Sequence, residues 1–232
     1  MSFRLNPKAQ PRIEEIDGSV PMLVIDDFYA EPDALREAAL QGQFADTAAG
    51  YPGRHERLDP ATNSGVRDML NYVWELVQDA TGLGFDFREL ITDFSILTTP
   101  RAKVLKAQSH PHIDGVALAG LVYLANPSMG GTCFYRNLRL NSAVVVDSNR
   151  AQWEAISRDT QKGFAETDGY VSDSFDMWQL IHKTEGRYNQ LVMYPGNIFH
   201  SVNVIIDPDP SKPQLARLTQ RIFVGEIQRA AA

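Results

Sequence analysis

"SHPHIDGVALAGLVYLANPSMGGTCFY", residues 109–135, sets two histidines and an aspartate at the head of an apolar, strand-like run. A packed core has no use for imidazole and carboxylate groups so close together, because each must be hydrogen-bonded or neutralised to be buried. A metal ion does have a use for them. His112 and Asp114 are two residues apart. Side chains alternate along an extended segment, so both would project from one face and reach adjacent positions on one ion. The competing reading is a surface turn, Pro-His-Ile-Asp-Gly, in which Asp114 bonds its own backbone.

A second element raises the metal reading. In "LVMYPGNIFHSVNVII" (191–206), Pro195-Gly196 makes a tight turn between two apolar strands. His200 then shares a face with Ile198, Val202 and Val204 and points inward, as a hydrogen-bonded core residue or as a ligand. Two histidines and one carboxylate are the set that holds non-haem Fe(II) while leaving open coordination positions. His112, Asp114 and His200 are therefore the candidate metal ligands.

The third element is "ARLTQRIFVG" (216–225), which puts Arg217, Thr219 and Arg221 on one face of a strand. An arginine inside a β-core is costly unless it meets an anion. Its planar fork matches a carboxylate, and a neighbouring threonine adds a hydroxyl donor. The alternative is an edge strand whose arginines face solvent.

Outward from these motifs the chain reads in two parts. Residues 1–84 hold a short β-type run, "MLVIDDF" (22–28), and a helix from Pro32 that stops at Gly42. "YPGRHERL" (51–58) reads as turn and loop. A longer helix follows from Ser64 to Thr81, with Val66, Met69, Leu70, Val73, Leu76 and Val77 at three- and four-residue steps. From residue 85 to 228 the pattern is of short strands divided by turns, including "LITDFSILTT" (90–99), "AKVLKAQ" (102–108) and "SAVVVD" (142–147). A polar segment rich in helix formers interrupts it at about 148–175. Nothing repeats and no low-complexity linker divides the chain, so 1–232 reads as one domain, mainly β with flanking helices.

The totals exclude several function classes. A net charge of −7 argues against nucleic acid and anionic membranes as partners. The longest nearly apolar run, Gly115 to Ala125, is too short to cross a bilayer. One cysteine, Cys133, allows no intrachain disulfide and no cysteine-based zinc cluster. With no signal-peptide pattern at the N-terminus, the expectation is a cytoplasmic protein.

Four ordered pieces carry a family resemblance: His112-x-Asp114, the "GLVYLANPSMGGTCFY" (120–135) that follows, "YPGNIFHSV" (194–202) around His200, and Arg217-x-Thr219. With them, residues 85–228 resemble the Fe(II)/2-oxoglutarate-dependent dioxygenase superfamily, in particular its prolyl-4-hydroxylase-like branch. The opening "MLVIDDFYAEPDALREAAL" (22–40) is similar to the way such domains begin. The resemblance implies a double-stranded β-helix (jelly-roll or cupin-like) core with N-terminal helices packed on it. It implies Fe(II) on His112, Asp114 and His200, and 2-oxoglutarate as cosubstrate with its C5 carboxylate on Arg217. Thr219 and Tyr123 would then lie near that carboxylate. The family often has a glycine two residues before its arginine, whereas Gln-Leu-Ala precedes Arg217 here, so Arg221 is the alternative.

The implied reaction is hydroxylation or a related oxidation of a small-molecule, amino-acid or peptide substrate, with succinate and CO2 released. Iron halogenases of this superfamily lack the carboxylate ligand, so Asp114 favours hydroxylation or a related oxidation. The 148–175 insertion would cover the substrate mouth, which makes Trp153, Tyr170 and Trp178 candidate substrate contacts. Two other readings compete. One is a non-catalytic β-helix binding or assembly module with a degenerate site. The other is a cupin-like metalloprotein that uses no 2-oxoglutarate, suggested by His110-x-His112 but lacking the glutamate such a motif needs.

Overall fold

In the computed structural model, which describes residues 2–46, 50–81, 85–87, 90–126, 128–160, 169–212, 215–225 and 227–229, the strands build a larger and a smaller antiparallel sheet. The larger sheet runs in the order β1 (Pro11–Ile16), β2 (Val20–Ile25), β10 (Leu191–Pro195), β7 (Leu118–Tyr123), β12 (Arg217–Val224), β6 (Leu90–Leu97), β4 (Gly53–Leu58) and β3 (Ala45–Asp46). The smaller has β11 (His200–Val202), β8 (Thr132–Asn137) and β9 (Trp178–Lys183). A short pair, β5 (Phe85–Phe87) with β13 (Ile227–Arg229), stands apart. From β7 onward the chain passes from the larger sheet to the smaller, back through β10, across again to β11 and back in β12.

A period of two along the strands separates the two faces of the larger sheet. Phe94, Ile96, Val122, Leu191, Met193, Leu218 and Ile222 pack against the helices. Their neighbours Tyr123, Val192 and Tyr194 turn the other way and pack with Phe134 of the smaller sheet. The helices that cover the first face follow their sequence signals. Helix α1 (Pro32–Leu40) has proline in its first turn and buries Leu35 and Ala39, one turn apart. Helix α2 (Ser64–Thr81) buries Val66, Met69, Leu70, Val73 and Val77 along one stripe. Each such side chain contributes about 1.5–3 kcal/mol relative to exposure, so α2 is held by its core face rather than by its caps.

Three local readings of the sequence are corrected. Residues 53–58 form β4, paired along its length with β6, rather than a loop. A Cβ at Gly53 would meet the Ile96 carbonyl oxygen at 1.9 Å, so the glycine that looked like a turn signal permits close pairing. Residues 102–108 are not a strand. The chain turns at Pro100, whose carbonyl accepts from Lys103 and Val104, and enters a short helix, α3 (Lys106–Ser109). Residues 142–146 make only isolated bridges, Asn137 with Ser142 and Val144 with Ile198, because the Asn137 side chain ties the turn at Arg139 and Leu140. The helix-rich segment that follows contains α4 (Asp147–Thr160). The remainder of that segment from 161 to 168 lies outside the described residues. Strand β1, which the sequence pattern did not signal, pairs with β2 from Pro11 opposite Ile25 to Ile16 opposite Val20. No helix among the described residues is long and apolar enough to cross a membrane.

Candidate active site

His112 and His200 are brought together by their own backbones. Each N–H donates to the other's carbonyl, at 3.0 and 2.9 Å, the exchange that sets two residues directly opposite in an antiparallel pair. The imidazole centroids are consequently 4.6 Å apart. The Asp114 N–H donates to the Gly196 carbonyl at 2.7 Å, which continues the pairing and returns the carboxylate to the same side. His200 begins β11 and is buried, while half of the His112 side chain is exposed at the mouth.

The side chains then converge. Asp114 Oδ2 is 3.3 Å from His200 Nε2, and Oδ1 is 3.9 Å from His112 Nε2. One ligand atom from each of the three residues lies within 4.8 Å of the others, close enough to hold one metal ion. The tautomers suit that role. His112 Nδ1 is 3.2 Å from the His110 carbonyl oxygen, and His200 Nδ1 is 2.9 Å from that of Ile198. A carbonyl only accepts, so Nδ1 carries a proton in both rings and each Nε2 faces the centre, where it offers a lone pair once any proton it shares with Asp114 has left. Burial opposes charge on His200, but its hydrogen bond to Asp114 and the carboxylate's charge raise it above the ordinary value. Burial likewise opposes charge on Asp114, yet the bond to His200 and the nearby imidazoles and Arg221 hold it below the usual carboxylate range.

Arg217, Thr219 and Arg221 do share a face, and all three line the same cavity of about 420 Å³ as His112, Asp114 and His200. The two arginines differ in their partners. Arg221 is neutralised: Nε and Nη2 donate to the two carboxylate oxygens of Asp93 at 2.7 and 2.6 Å, directly across the β12–β6 pairing. Arg217 is buried and has no carboxylate partner among the described residues. Its Nε donates to the Gly130 carbonyl at 3.1 Å and its Nη2 to that of Gly131 at 2.8 Å. These bonds use the side of the guanidinium, leaving the two parallel N–H groups at its tip, the pair that matches a carboxylate. Thr219 Oγ1 is 2.8 Å from Ser95 Oγ beside it.

Tyr123 supports Arg217 rather than lining the cavity. Its ring lies 5.5 Å from the guanidinium, and its hydroxyl is bonded to the hydroxyls of Thr132 and Thr184, each at 2.9 Å. The three proposed substrate contacts do not line the cavity either. Trp153 and Trp178 stack edge-on with each other and with Phe199 in an apolar cluster. Tyr170 is buried, with its hydroxyl donating to the Thr99 carbonyl at 2.6 Å. These aromatics close the hydrophobic layer beneath the smaller sheet and around the 99–104 turn. His110 is not one of the three converging residues: its ring packs on Phe175 and its carbonyl oxygen faces His112 Nδ1.

Several residues of the site were missed. Gly130 and Gly131 read as turn punctuation but present the carbonyls that hold Arg217. A Cβ at Gly131 would meet Thr184 Oγ1 at 2.3 Å, and Gly130 has a φ of +105° with the Asn203 carbonyl 2.1 Å from a Cβ position. The adjacent glycine pair was the available signal. Tyr194, Thr132, Tyr51 and His55 also line the cavity. Tyr194 could have been found, since it alternates with Val192 on the inward face of β10.

With that geometry in view, comparison with solved structures shows which known folds this one resembles. The structure of HygX from Streptomyces hygroscopicus with nickel and 2-oxoglutarate bound aligns with a TM-score of 0.53 at 16% identity, covering 90% of this chain and 84% of that one. A Pseudomonas putida prolyl-4-hydroxylase aligns at 0.51 and 14%, covering 92% and 95%. A prolyl hydroxylase in complex with a hypoxia inducible factor peptide fragment, from Trichoplax adhaerens, aligns at 0.52 and 10%, covering 90% and 84%. Residues 7–224 match the model of a family of unknown function, DUF6445, and the chain belongs to that family. No curated protein sequence matches it.

Proposed function

We propose that the protein is a non-haem Fe(II)- and 2-oxoglutarate-dependent oxygenase on a double-stranded β-helix. It hydroxylates, or otherwise oxidises, a small-molecule, amino-acid or peptide substrate, with succinate and CO2 as coproducts. The observation that carries this reading is that a metal-competent His-Asp-His set and a buried arginine without a counter-charge among the described residues share one cavity. Either alone has a structural explanation. Together they supply a cation site and an anion site for a cosubstrate that chelates metal at one end and carries a carboxylate at the other.

In this reading His112, Asp114 and His200 hold Fe(II), which with 2-oxoglutarate and O2 supplies the oxidising chemistry. The remaining work belongs to the chain. Donation of both Nδ1 protons to backbone carbonyls keeps the Nε2 lone pairs aimed at one point. Asp114 supplies the charge that favours a divalent ion. Arg217 fixes the far carboxylate through the tip of its guanidinium, with Thr219 beside it. Gly130, Gly131 and Tyr123 hold the guanidinium from the other side. Arg221 fits this role poorly, because Asp93 already occupies its fork.

Anaerobic titration of the apo-protein with Fe(II) and then 2-oxoglutarate tests the reading. The expected result is a visible metal-to-ligand charge-transfer band, absent in His200→Ala, and succinate release once O2 and a substrate are admitted. A folded protein that develops no band overturns it and selects the binding module or the cupin-like reading instead.

A further inference from the structure

The two edges of the larger sheet are finished differently. A sheet edge presents unpaired N–H and C=O groups, and folded proteins keep such edges short, bulged or covered. At one edge β3 is two residues long. At the other, β1 runs for six residues, Pro11–Ile16, in unbroken register with β2. Pro11, Arg12, Ile13 and Glu15 are exposed on it, and among the described residues its outward backbone groups have no partner. The prolines fix which groups those are. Glu15 stands opposite Pro21, which has no N–H to exchange, so that pair is the non-bonded kind. Alternation then turns the N–H and C=O of Ile13 and Glu15 outward, while Pro11 shows a carbonyl alone. Ile13 is 52% exposed and stands beside Leu23 on the apolar face of the sheet. Arg12 and Glu14 lie on the other face.

A second copy of β1 fits this edge in one register. A twofold axis perpendicular to the sheet keeps each face on its own side, so the outward-facing residues of one copy must meet those of the other. With Ile13 opposite its own counterpart, the two Ile13 backbones exchange N–H···O bonds and each Glu15 N–H donates to the opposite Pro11 carbonyl. Arg12 then faces the counterpart of Glu14, and Glu14 that of Arg12. Sliding either copy by two residues sets arginine against arginine or Glu14 against Glu14, and like charges directly opposed are destabilising. Arg12 is equipped for the exchange. Its Nε donates to Glu14 at 2.9 Å and its Nη1 to Asp26 at 2.5 Å, which leaves Nη2 for a further carboxylate. The exposed isoleucines cover each other and extend the apolar row from Leu23. We propose that the protein self-associates through β1 as a twofold dimer, joining two larger sheets edge to edge. One strand pair makes a small interface, so the association is reversible.

Sedimentation equilibrium of the full chain tests this from about 10 μM to about 1 mM, the range in which a small interface associates. The expected result is a monomer–dimer equilibrium. Arg12→Glu and Glu14→Arg are each expected to weaken it at least about tenfold, since each sets like charges opposite one another at two symmetric places. A one-to-one mixture of the two variants is expected to recover wild-type association, because every opposed pair in the mixed dimer again joins opposite charges. The register is read separately. Paired Cα atoms lie about 5.5 Å apart in it, within reach of a disulfide. Mild oxidation of Ile13→Cys is expected to link the copies, whereas Glu15→Cys, which faces Pro11, stays unlinked. The native Cys133 is buried and does not compete. The cysteine variants introduce no new charge pair across the axis, so they decide the register even where a charge variant folds poorly. Four results overturn the proposal: a wild type that stays monomeric to about 1 mM, a single charge variant that associates as tightly as wild type, a mixture that recovers nothing, or Glu15→Cys linking as readily as Ile13→Cys.

Discussion

Replacing Arg217 by methionine separates the two arginines of β12. The tip of its guanidinium offers two N–H groups to an anion, since the other side is taken by Gly130 and Gly131. Charge-assisted hydrogen bonds contribute about 1.5–3 kcal/mol each, so the loss is about 3 kcal/mol at the lower end. At about 1.4 kcal/mol per decade, the Kd for 2-oxoglutarate rises at least about a hundredfold. Arg217→Lys keeps the charge but not the fork and is expected to fall between wild type and Arg217→Met. Arg221→Met strands Asp93, a nearly buried carboxylate, so it lowers stability by about 3–5 kcal/mol. It leaves 2-oxoglutarate affinity within about threefold of wild type, because the Arg221 fork is already taken by Asp93. Anaerobic titration on the charge-transfer band gives the affinities, and thermal unfolding of the same samples gives the stabilities. Unchanged affinity in a folded Arg217→Met, or an equal loss in Arg221→Met, refutes the assignment of the anion to Arg217.

Metal binding must displace the proton shared between His200 and Asp114. His200 is raised above its ordinary value of 6.5, so as pH falls through that raised value the metal Kd is expected to weaken by about tenfold per unit; a flat profile from pH 8 to pH 6 would count against the ligand set. Gly131→Ala places a methyl group 2.4 Å from the Thr184 carbonyl oxygen and 2.7 Å from the Gly186 nitrogen. Backbone must shift to admit it, at about 1–3 kcal/mol, and the displaced carbonyl should weaken 2-oxoglutarate binding along with the melting temperature; full cosubstrate affinity in the variant would show that Gly131 does not position Arg217. Met69→Ala opens the fully buried face of α2 and is expected to cost about 2–5 kcal/mol with metal affinity unchanged, read by denaturant unfolding and metal titration.

What the sequence disclosed and what it hid follow from how far each determinant acts along the chain. Helix α2 runs from Ser64 to Thr81 as its apolar spacing indicates, because its stripe and its start are local. The inward face of β12 was equally legible, since alternation alone puts Arg217, Thr219 and Arg221 together. Strand β4 was hidden because Gly53, Arg54, His55, Glu56 and Arg57 carry no apolar alternation; it pairs because β6 offers it an edge. The roles of the two arginines were hidden for the same reason. Asp93 lies 128 positions from Arg221 and faces it only through strand register. Gly130 meets Arg217 across 87 positions. The choice of anion site therefore rests on which arginine the fold has already neutralised, a property of neither residue's sequence neighbourhood. The same reasoning explains where the candidate substrate aromatics stand. Trp153 and Trp178 have the composition of a binding wall, but Phe199, the residue before a metal-site histidine, turns outward by alternation and gathers them into a hydrophobic layer beneath it. They pack on the residue that immediately precedes His200.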